Sequence, residues 1–277
     1  MPAELHCHSK ISDGTASVGE IVALAKATGL SALSVTDHDT LEGSDKAAEY
    51  GGRLGVRIVT GTEISCFDYE RQRNVHLLCY LPHNRECLCA LLESVREGRS
   101  RAVEESARRV TELYPITHEM IERRAEGSST LFKQHIMHAL MDAGYAGEVF
   151  GSEFRELFGK GGKARVTFEH PDIFEALDIV RGSGAVAVLA HPAVYDSYEI
   201  IPELIRRGLD GIEVSYPRAR SDDAETLGAL CRRHGLIMTG GTDFHGSNCT
   251  APHPLGTCTT SDEQLERLIA LAQSRGQ

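Results

Sequence analysis

Short apolar, β-branched runs alternate with longer amphipathic segments along most of this chain. The runs fall at residues 31–36 (SALSVT), 57–61 (RIVTG), 74–81 (NVHLLCYL), 185–190 (AVAVLA), 211–215 (GIEVS) and 236–240 (LIMTG), and with the opening AELHCH they make seven predicted strands. Their near-continuous apolar character suits strands buried on both faces, as in a parallel sheet covered by helices. The segments between them carry helix punctuation. Ser17 caps a stretch running to Ala27, with Glu20 as a capping-box partner and Gly29 as its stop. Pro171 stands at the first position of a helix over 171–182, closed by Gly182 or Gly184. Helices over 198–207, 221–234 and 261–274 complete the set, with Gly208 and Gly235 ending the first two. Repeated βα units of this kind predict an α/β fold, a TIM-like barrel with seven strands in place of eight.

The alternation breaks between Ser94 and Arg165. There the pattern predicts helices over 96–113, 117–126, 130–143 and 151–158, interrupted by Pro115, Gly127 and Gly144. This stretch is nearly balanced in acids and bases, so the acid excess of the chain lies in the remainder. It enters from a loop after a strand, and in a barrel such loops lie over the mouth. The expected organisation is a discontinuous barrel of residues 1–94 and 166–277 with a helical cap domain over 95–165.

Composition narrows the functional classes. At 277 residues, 41% of them hydrophobic, the chain suits one large domain or a barrel with a modest insertion. A formal net charge of −11 disfavours a stable complex with long nucleic acid, though bound cations reverse the local sign for a small anionic ligand. No apolar run reaches bilayer length and the start lacks a signal-peptide pattern, which together predict a cytoplasmic protein with no membrane partner. Eight cysteines without a CxxC pair read as reduced thiols.

The chemistry sits where the apolar runs end. His6 and His8 flank Cys7, and both project to one side of a strand while Cys7 points to the other. Asp13, then His38 within Thr36-Asp37-His38-Asp39, follow. Glu63, His76, His191 and the pair Asp243 and His245 complete six imidazoles and three carboxylates. Each piece alone has a bland reading: an exposed HxH, an acidic turn, a core histidine, a loop. Recurrence at successive strand ends sets them apart, because parallel strands deliver their carboxyl ends to one face. A carboxylate such as Glu63 at a buried strand end is costly unless paired or bound to a cation. Nine nitrogen and oxygen donors converging there would hold two or three divalent ions. Their histidine content suits Mn, Zn or Fe better than Mg or Ca. Asp37 and Asp39 are expected to orient His38 or to satisfy the turn.

In this combination the chain resembles the PHP (polymerase and histidinol phosphatase) family of metal-dependent phosphoesterases. The HxHS-x3-DG opening, the TDHD run, the isolated Glu63, the strand histidine, the His191-Pro192 pair and the final DxH carry the resemblance. It implies a distorted seven-stranded barrel and ligand roles for His6, His8, Asp13, His38, Glu63, His76, His191, Asp243 and His245. It also implies that His6, His8, Glu63 and Asp243 surround one ion, with Glu63 bridging. Asp13, His38, His191 and His245 are the expected catalytic positions. The middle segment is similar to stand-alone PHP phosphatases acting on nucleotides, at Ser94-Val95-Arg96-Glu97-Gly98-Arg99, Lys133-Gln134-His135 and Lys160-Gly161-Gly162-Lys163.

The expected function is hydrolysis of a phosphate ester on a small metabolite, a nucleotide or sugar phosphate, by attack of a metal-bridging hydroxide on phosphorus. Short oligonucleotides are further possible substrates. An alternative is opening of a cyclic phosphodiester on a sugar, followed by phosphate release. A third, of another class, is a noncatalytic polymerase-associated or regulatory module. Lys133, His135, His138, Lys163 and Arg218 are the candidate contacts to substrate phosphate, each with a competing reading as solvated surface.

Overall fold

The computed structural model describes residues 2–276. Eight strands among them form two hydrogen-bonded sheets. In the first, β1 (Ala3–Cys7), β2 (Ala32–Val35) and β3 (Arg57–Ile58) run parallel. The second orders β4 (Gly61–Asp68), β5 (Arg73–Tyr80), β6 (Val186–Leu189), β7 (Gly211–Ser215) and β8 (Ile237–Gly240). Leu5, Leu78, Val188 and Ile237, drawn from both sheets, share one apolar cluster, and Tyr80 donates its hydroxyl to the Leu5 carbonyl at 2.8 Å.

The sheets meet through the backbones of the candidate ligands. Asp243 N–H donates to His6 O at 2.8 Å and His8 N–H to Phe244 O at 2.8 Å. On the other side, Glu63 N–H donates to Thr36 O at 3.1 Å and Asp39 N–H to Glu63 O at 2.9 Å.

The all-parallel expectation is corrected at β5, which pairs antiparallel with both β4 and β6. The cause is local. Only residues 69–72 connect β4 to β5, too few for the crossover a parallel pair needs. Asp68 Oδ1 closes that turn by accepting from Glu70 N and Arg71 N, each at 3.1 Å. The predicted run 57–61 also divides: Arg57–Ile58 stays beside β2, and Gly61 begins a separate strand.

Helices α1 (Val18–Ala27) and α2 (Glu42–Leu54) connect the first strands. The Ser17–Glu20 capping box of α1 forms as expected, with Ser17 N–H donating to Glu20 Oε2 at 2.7 Å. α2 escaped the apolar pattern because it buries the small residues Gly43, Ser44, Ala47 and Gly51.

Next come α3 (Glu86–Leu113), α4 (His118–Arg124), α5 (Lys133–Asp142) and α6 (Ser152–Phe158). The expected boundary at residue 95 falls inside α3, an unbroken helix of 28 residues. Its first turns place Leu88 and Leu92 in the core of the second sheet. Val103, Ala107 and Val110 further along join a separate apolar cluster with Ile121, Ile136, Leu140 and Leu157.

The chain then runs through α7 (Ile173–Gly182), α8 (Pro192–Tyr195), α9 (Ile201–Arg206), α10 (Asp223–His234) and α11 (Asp262–Arg275). Pro171 precedes α7 instead of opening it. Asp172 is the N-cap, its carboxylate accepting from Phe174 N–H at 2.9 Å. No helix among the described residues is long and apolar enough to cross a membrane, and all eight cysteines are free.

Candidate metal centre

Six strands and the loops that follow them deliver the nine residues to one cluster, with Asp13 in the loop after β1. β1 carries His6, and His8 lies just beyond it; His38 follows β2; Glu63 and His76 stand within β4 and β5. His191 follows β6, and Asp243 and His245 follow β8. Glu63 is the hub. Its Oε1 lies 2.7 Å from His191 Nε2 and 2.8 Å from His76 Nδ1, and its Oε2 lies 3.1, 3.2 and 3.4 Å from His8 Nε2, His6 Nε2 and His38 Nδ1. Asp243 Oδ1 sits 3.3 Å from His8 Nε2 and 3.5 Å from His6 Nε2. Asp13 Oδ1 sits 3.3 Å from His245 Nε2.

The contacts at Glu63 Oε1 are hydrogen-bond distances, whereas the wider spacings around Glu63 Oε2, Asp243 and Asp13 fit metal ligands. Two atoms each about 2.1 Å from one ion stand roughly 3.0–3.4 Å apart in octahedral or tetrahedral geometry. His6 Nε2, His8 Nδ1 and Nε2, and His38 Nδ1 are buried with no well-directed hydrogen bond, although carboxylate oxygens lie close by. Imidazole nitrogens this deep without partners are costly unless a cation takes their lone pairs. The donors group as His6, His8, Glu63 and Asp243; as His8, Asp13, His38 and His245; and as His38, Glu63 and His76.

Electrostatics agree with a site shaped for cations. Burial alone would raise Glu63 and Asp243, yet the surrounding imidazoles, His6 and His76 around one and His245 and His6 around the other, hold both carboxyls well below the usual range. Burial pulls His38 well below an ordinary imidazole. Burial acts the same way on His8, but the Asp243 and Glu63 carboxylates outweigh it and push its pKa up to about 10. The carboxylates thus stay ionised beside protonated imidazole, and divalent cations binding there would displace those protons.

Backbone strain accompanies the ligands. Asp39, His191 and Asp243 all have positive φ, 56°, 25° and 51°, a conformation that non-glycine residues hold only where the surroundings enforce it. Gly241 allows β8 to press against β1, since a Cβ there would stand 2.2 Å from His6 Cβ.

Supporting residues were only partly legible. Asp37 and Asp39 satisfy the turns around His38. Asp37 accepts from Ser9 N–H at 2.7 Å and Ser12 Oγ at 2.6 Å, and Asp39 from Ser65 N–H at 2.9 Å. Arg99 of α3 also pairs with Asp39, with Phe132 and Phe168 ring centroids 4.8 and 5.5 Å away. Sequence reasoning missed Glu213, fully buried on β7. Its Oε1 lies 3.1 Å from His6 Nδ1 and its Oε2 accepts from His191 N–H at 2.8 Å. The one signal was a lone acid inside the apolar run GIEVS.

Above the cluster opens a cavity of about 410 Å³, with Asp13, His38, Glu63, His76, His191, Asp243 and His245 among its lining residues. Gln134, Phe150 and Phe154 of the helical segment between β5 and β6 also line it, as do Tyr195, Tyr216, Arg218 and His253.

The expected phosphate contacts divide. Arg218 lines the cavity, with Nη2 3.4 Å from Asp243 Oδ2. Lys133, His135, His138 and Lys163 do not line it. Lys133 Nζ stands 5.8 Å from the Phe158 ring centroid. His135 Nδ1 accepts from Phe132 N–H at 3.1 Å to cap α5, and His138 Nε2 meets Asn248 Oδ1 at 2.6 Å. Lys163 pairs on the surface with Glu156. Lys133, His135 and Lys163 thus contact residues of their own helical segment, whereas His138 reaches the loop after β8.

Fold and site together define a metal-dependent phosphoesterase. The chain belongs to the PHP family: the PHP domain matches residues 4–161. A phosphoribosyl 1,2-cyclic phosphate 1,2-diphosphodiesterase of Eggerthella lenta is 36% identical over 91% of this chain and 97% of its own. A 3',5'-nucleoside bisphosphate phosphatase of Chromobacterium violaceum is 30% identical over 87% and 86%. A crystal structure from Bifidobacterium adolescentis, provisionally classed as a metal-dependent phosphoesterase, superposes with a TM-score of 0.89 at 29% identity, covering 98% of each chain.

Proposed function

We propose that this protein hydrolyses the phosphate ester of a small sugar or nucleotide, with a cyclic phosphodiester on a ribose phosphate as the favoured substrate. The observation that carries the reading is a donor cluster at the floor of a cavity sized for one metabolite. At about 410 Å³ it lies within the roughly 300–1,000 Å³ of small-molecule sites. The Eggerthella relative, matched over nearly its whole length, supports the cyclic ester.

The nine ligands proposed above would hold two or three Mn, Zn or Fe ions, with Glu63 and Asp13 oriented to serve more than one neighbour. Such ions supply Lewis acidity and make water nucleophilic near neutral pH, lowering its pKa from about 16 towards about 7. Asp13, His38, His191 and His245 would bind and orient the reacting phosphate as well as the ions. Arg218 contributes a fixed cation on the cavity wall for phosphoryl oxygens. The two sheets are read as one distorted barrel, seven-stranded if β3 and β4 count as one interrupted strand, stitched by the ligand backbones, and residues 95–165 as its cap.

A second substrate reading is favoured by one feature. Phe150 and Phe154 line the cavity with ring centroids 5.2 Å apart, a surface on which a nucleobase stacks. That would suit a nucleoside bisphosphate.

The test is phosphate release by metal-loaded and chelator-stripped protein across ribose cyclic phosphates, nucleoside bisphosphates and sugar monophosphates, with ring-opened product followed by phosphorus NMR. The cyclic reading expects ring opening before phosphate release. Turnover confined to bisphosphates supports the second reading. Turnover unaffected by stripping sinks the metal mechanism, and no turnover on any ester by the loaded protein favours a noncatalytic module.

A further inference from the structure

The inserted helices reach the ligand loops themselves, and the most direct contact is on Asp13. Gln134, near the start of α5, donates from Nε2 to Asp13 Oδ2 at 2.8 Å. The other carboxylate oxygen, Oδ1, faces His245 Nε2 at 3.3 Å and His8 Nδ1 at 3.8 Å. The Asp13 backbone carbonyl accepts from Asn248 Nδ2 at 2.7 Å. That bond fixes the amide, so Asn248 Oδ1 accepts from His138 Nε2–H at 2.6 Å. His138 follows Gln134 by four residues and shares its helix face. Behind Asp13, Ser129 N–H donates to Ile11 O at 2.8 Å and the Ser128 hydroxyl lies 2.9 Å from Ser12 O.

An aspartate carboxylate turns easily about its last torsion, whose preferences are broad. A single amide donor on Oδ2 fixes which oxygen faces inward. It does so without the competing positive charge that a lysine or arginine there would bring. The one lysine beside it, Lys133, is directed elsewhere, over Phe158.

We propose that Gln134 is a positioning residue for Asp13: it holds one carboxylate oxygen so that the other serves the ion shared with His8, His38 and His245. Occupancy of that position then depends on the inserted helices, while the position formed by His6, His8, Glu63 and Asp243 does not. This rests on the metal reading above.

The experiment compares the Mn²⁺-loaded parent with Gln134→Leu, which keeps volume and loses the donor, and Gln134→Glu, which sets a second carboxylate against Asp13. Metal per chain is measured by mass spectrometry after gel filtration, and the weakest-bound ion by Mn²⁺ titration. The expected result is that both variants retain their other ions and bind the weakest at least tenfold less tightly, losing it on the column. Excess Mn²⁺ restores kcat in Gln134→Leu with KM for the ester unchanged. Parental metal content and affinity in both variants overturn the proposal, even if KM rises, because Gln134 is then a substrate contact. Loss of every ion overturns it as well. A parent that binds no metal sinks the metal centre itself, which separates the two failures.

Discussion

Glu63 and His191 stand 128 residues apart in sequence, yet Glu63 Oε1 lies 2.7 Å from His191 Nε2. β5 explains the meeting: it pairs with β4 on one side and β6 on the other, and its His76 lies opposite Ser65 in the register. His76 Nδ1 approaches the same oxygen at 2.8 Å. The β4–β5 pairing and the β5–β6 pairing together bring Glu63 into contact with an imidazole on β5 and one just after β6.

Because Glu63 faces five imidazoles, Glu63→Gln removes the charge on which the cluster turns. Metal content should fall by at least one ion per chain, and kcat by a hundredfold or more, since the amide neither bridges ions nor balances them. Metal analysis with steady-state kinetics checks it; a variant with parental metal and kcat would remove Glu63 from the centre.

Glu213 acts through His6. Its carboxylate accepts from Nδ1–H and leaves Nε2 free towards Glu63 and Asp243. In Glu213→Gln, an amide N–H facing Nδ1 favours the opposite tautomer, whose Nε2–H cannot ligate a metal. Metal affinity should drop about 10–100-fold, measured by competition with a chelating dye.

On the cavity wall, Arg218→Ala should raise KM about tenfold or more, from loss of a charge-assisted bond of roughly 1.5–3 kcal/mol. Lys163→Ala should leave kcat and KM within about twofold, because Lys163 pairs with Glu156 away from the cavity. Parallel kinetics on one ester decide between them, and equal effects would place the phosphate elsewhere.

His135 makes the insertion sensitive to acid. Burial lowers its pKa to about 4 from an ordinary 6.5. The unfolded chain therefore takes up a proton that the folded chain refuses as pH falls from 6.5 to about 4. Its stabilising contribution is complete above 6.5 and is lost across that window, by roughly 3 kcal/mol. His135→Gln keeps an acceptor for Phe132 N–H, as a capping box allows, and removes the titration. Denaturant melts of the metal-stripped proteins at pH 7 and pH 4.5 should show a smaller loss in the variant. Equal losses would mean that His135 does not titrate in this range.

The metal ligands were legible because their chemistry is local. Imidazoles and carboxylates recurring where apolar runs end are hard to bury otherwise, so type and position sufficed to single out the nine candidate donors that the fold gathers. Ser17 and Gly29 likewise marked α1 and Gly235 marked α10, while the amphipathic pattern alone predicted α11. α2 left no trace, since it packs through glycine, serine and alanine. Nor did residue type separate Arg218 from Lys133, His135, His138 and Lys163, because a basic side chain looks the same whether it faces a ligand, a ring or a glutamate.

By itself, then, the sequence determined an α/β chain with a helical stretch between two of its strands and a set of nine clustered donors. Strand runs, caps and costly buried donors are each written in neighbouring residues. Tertiary structure alone decided that β5 runs antiparallel, that α3 spans both apolar clusters, that Glu213 holds His6 and that Gln134 reaches Asp13. Those facts depend on which distant segments pack together, and burial and partner choice are properties of that packing that no short stretch of residues encodes.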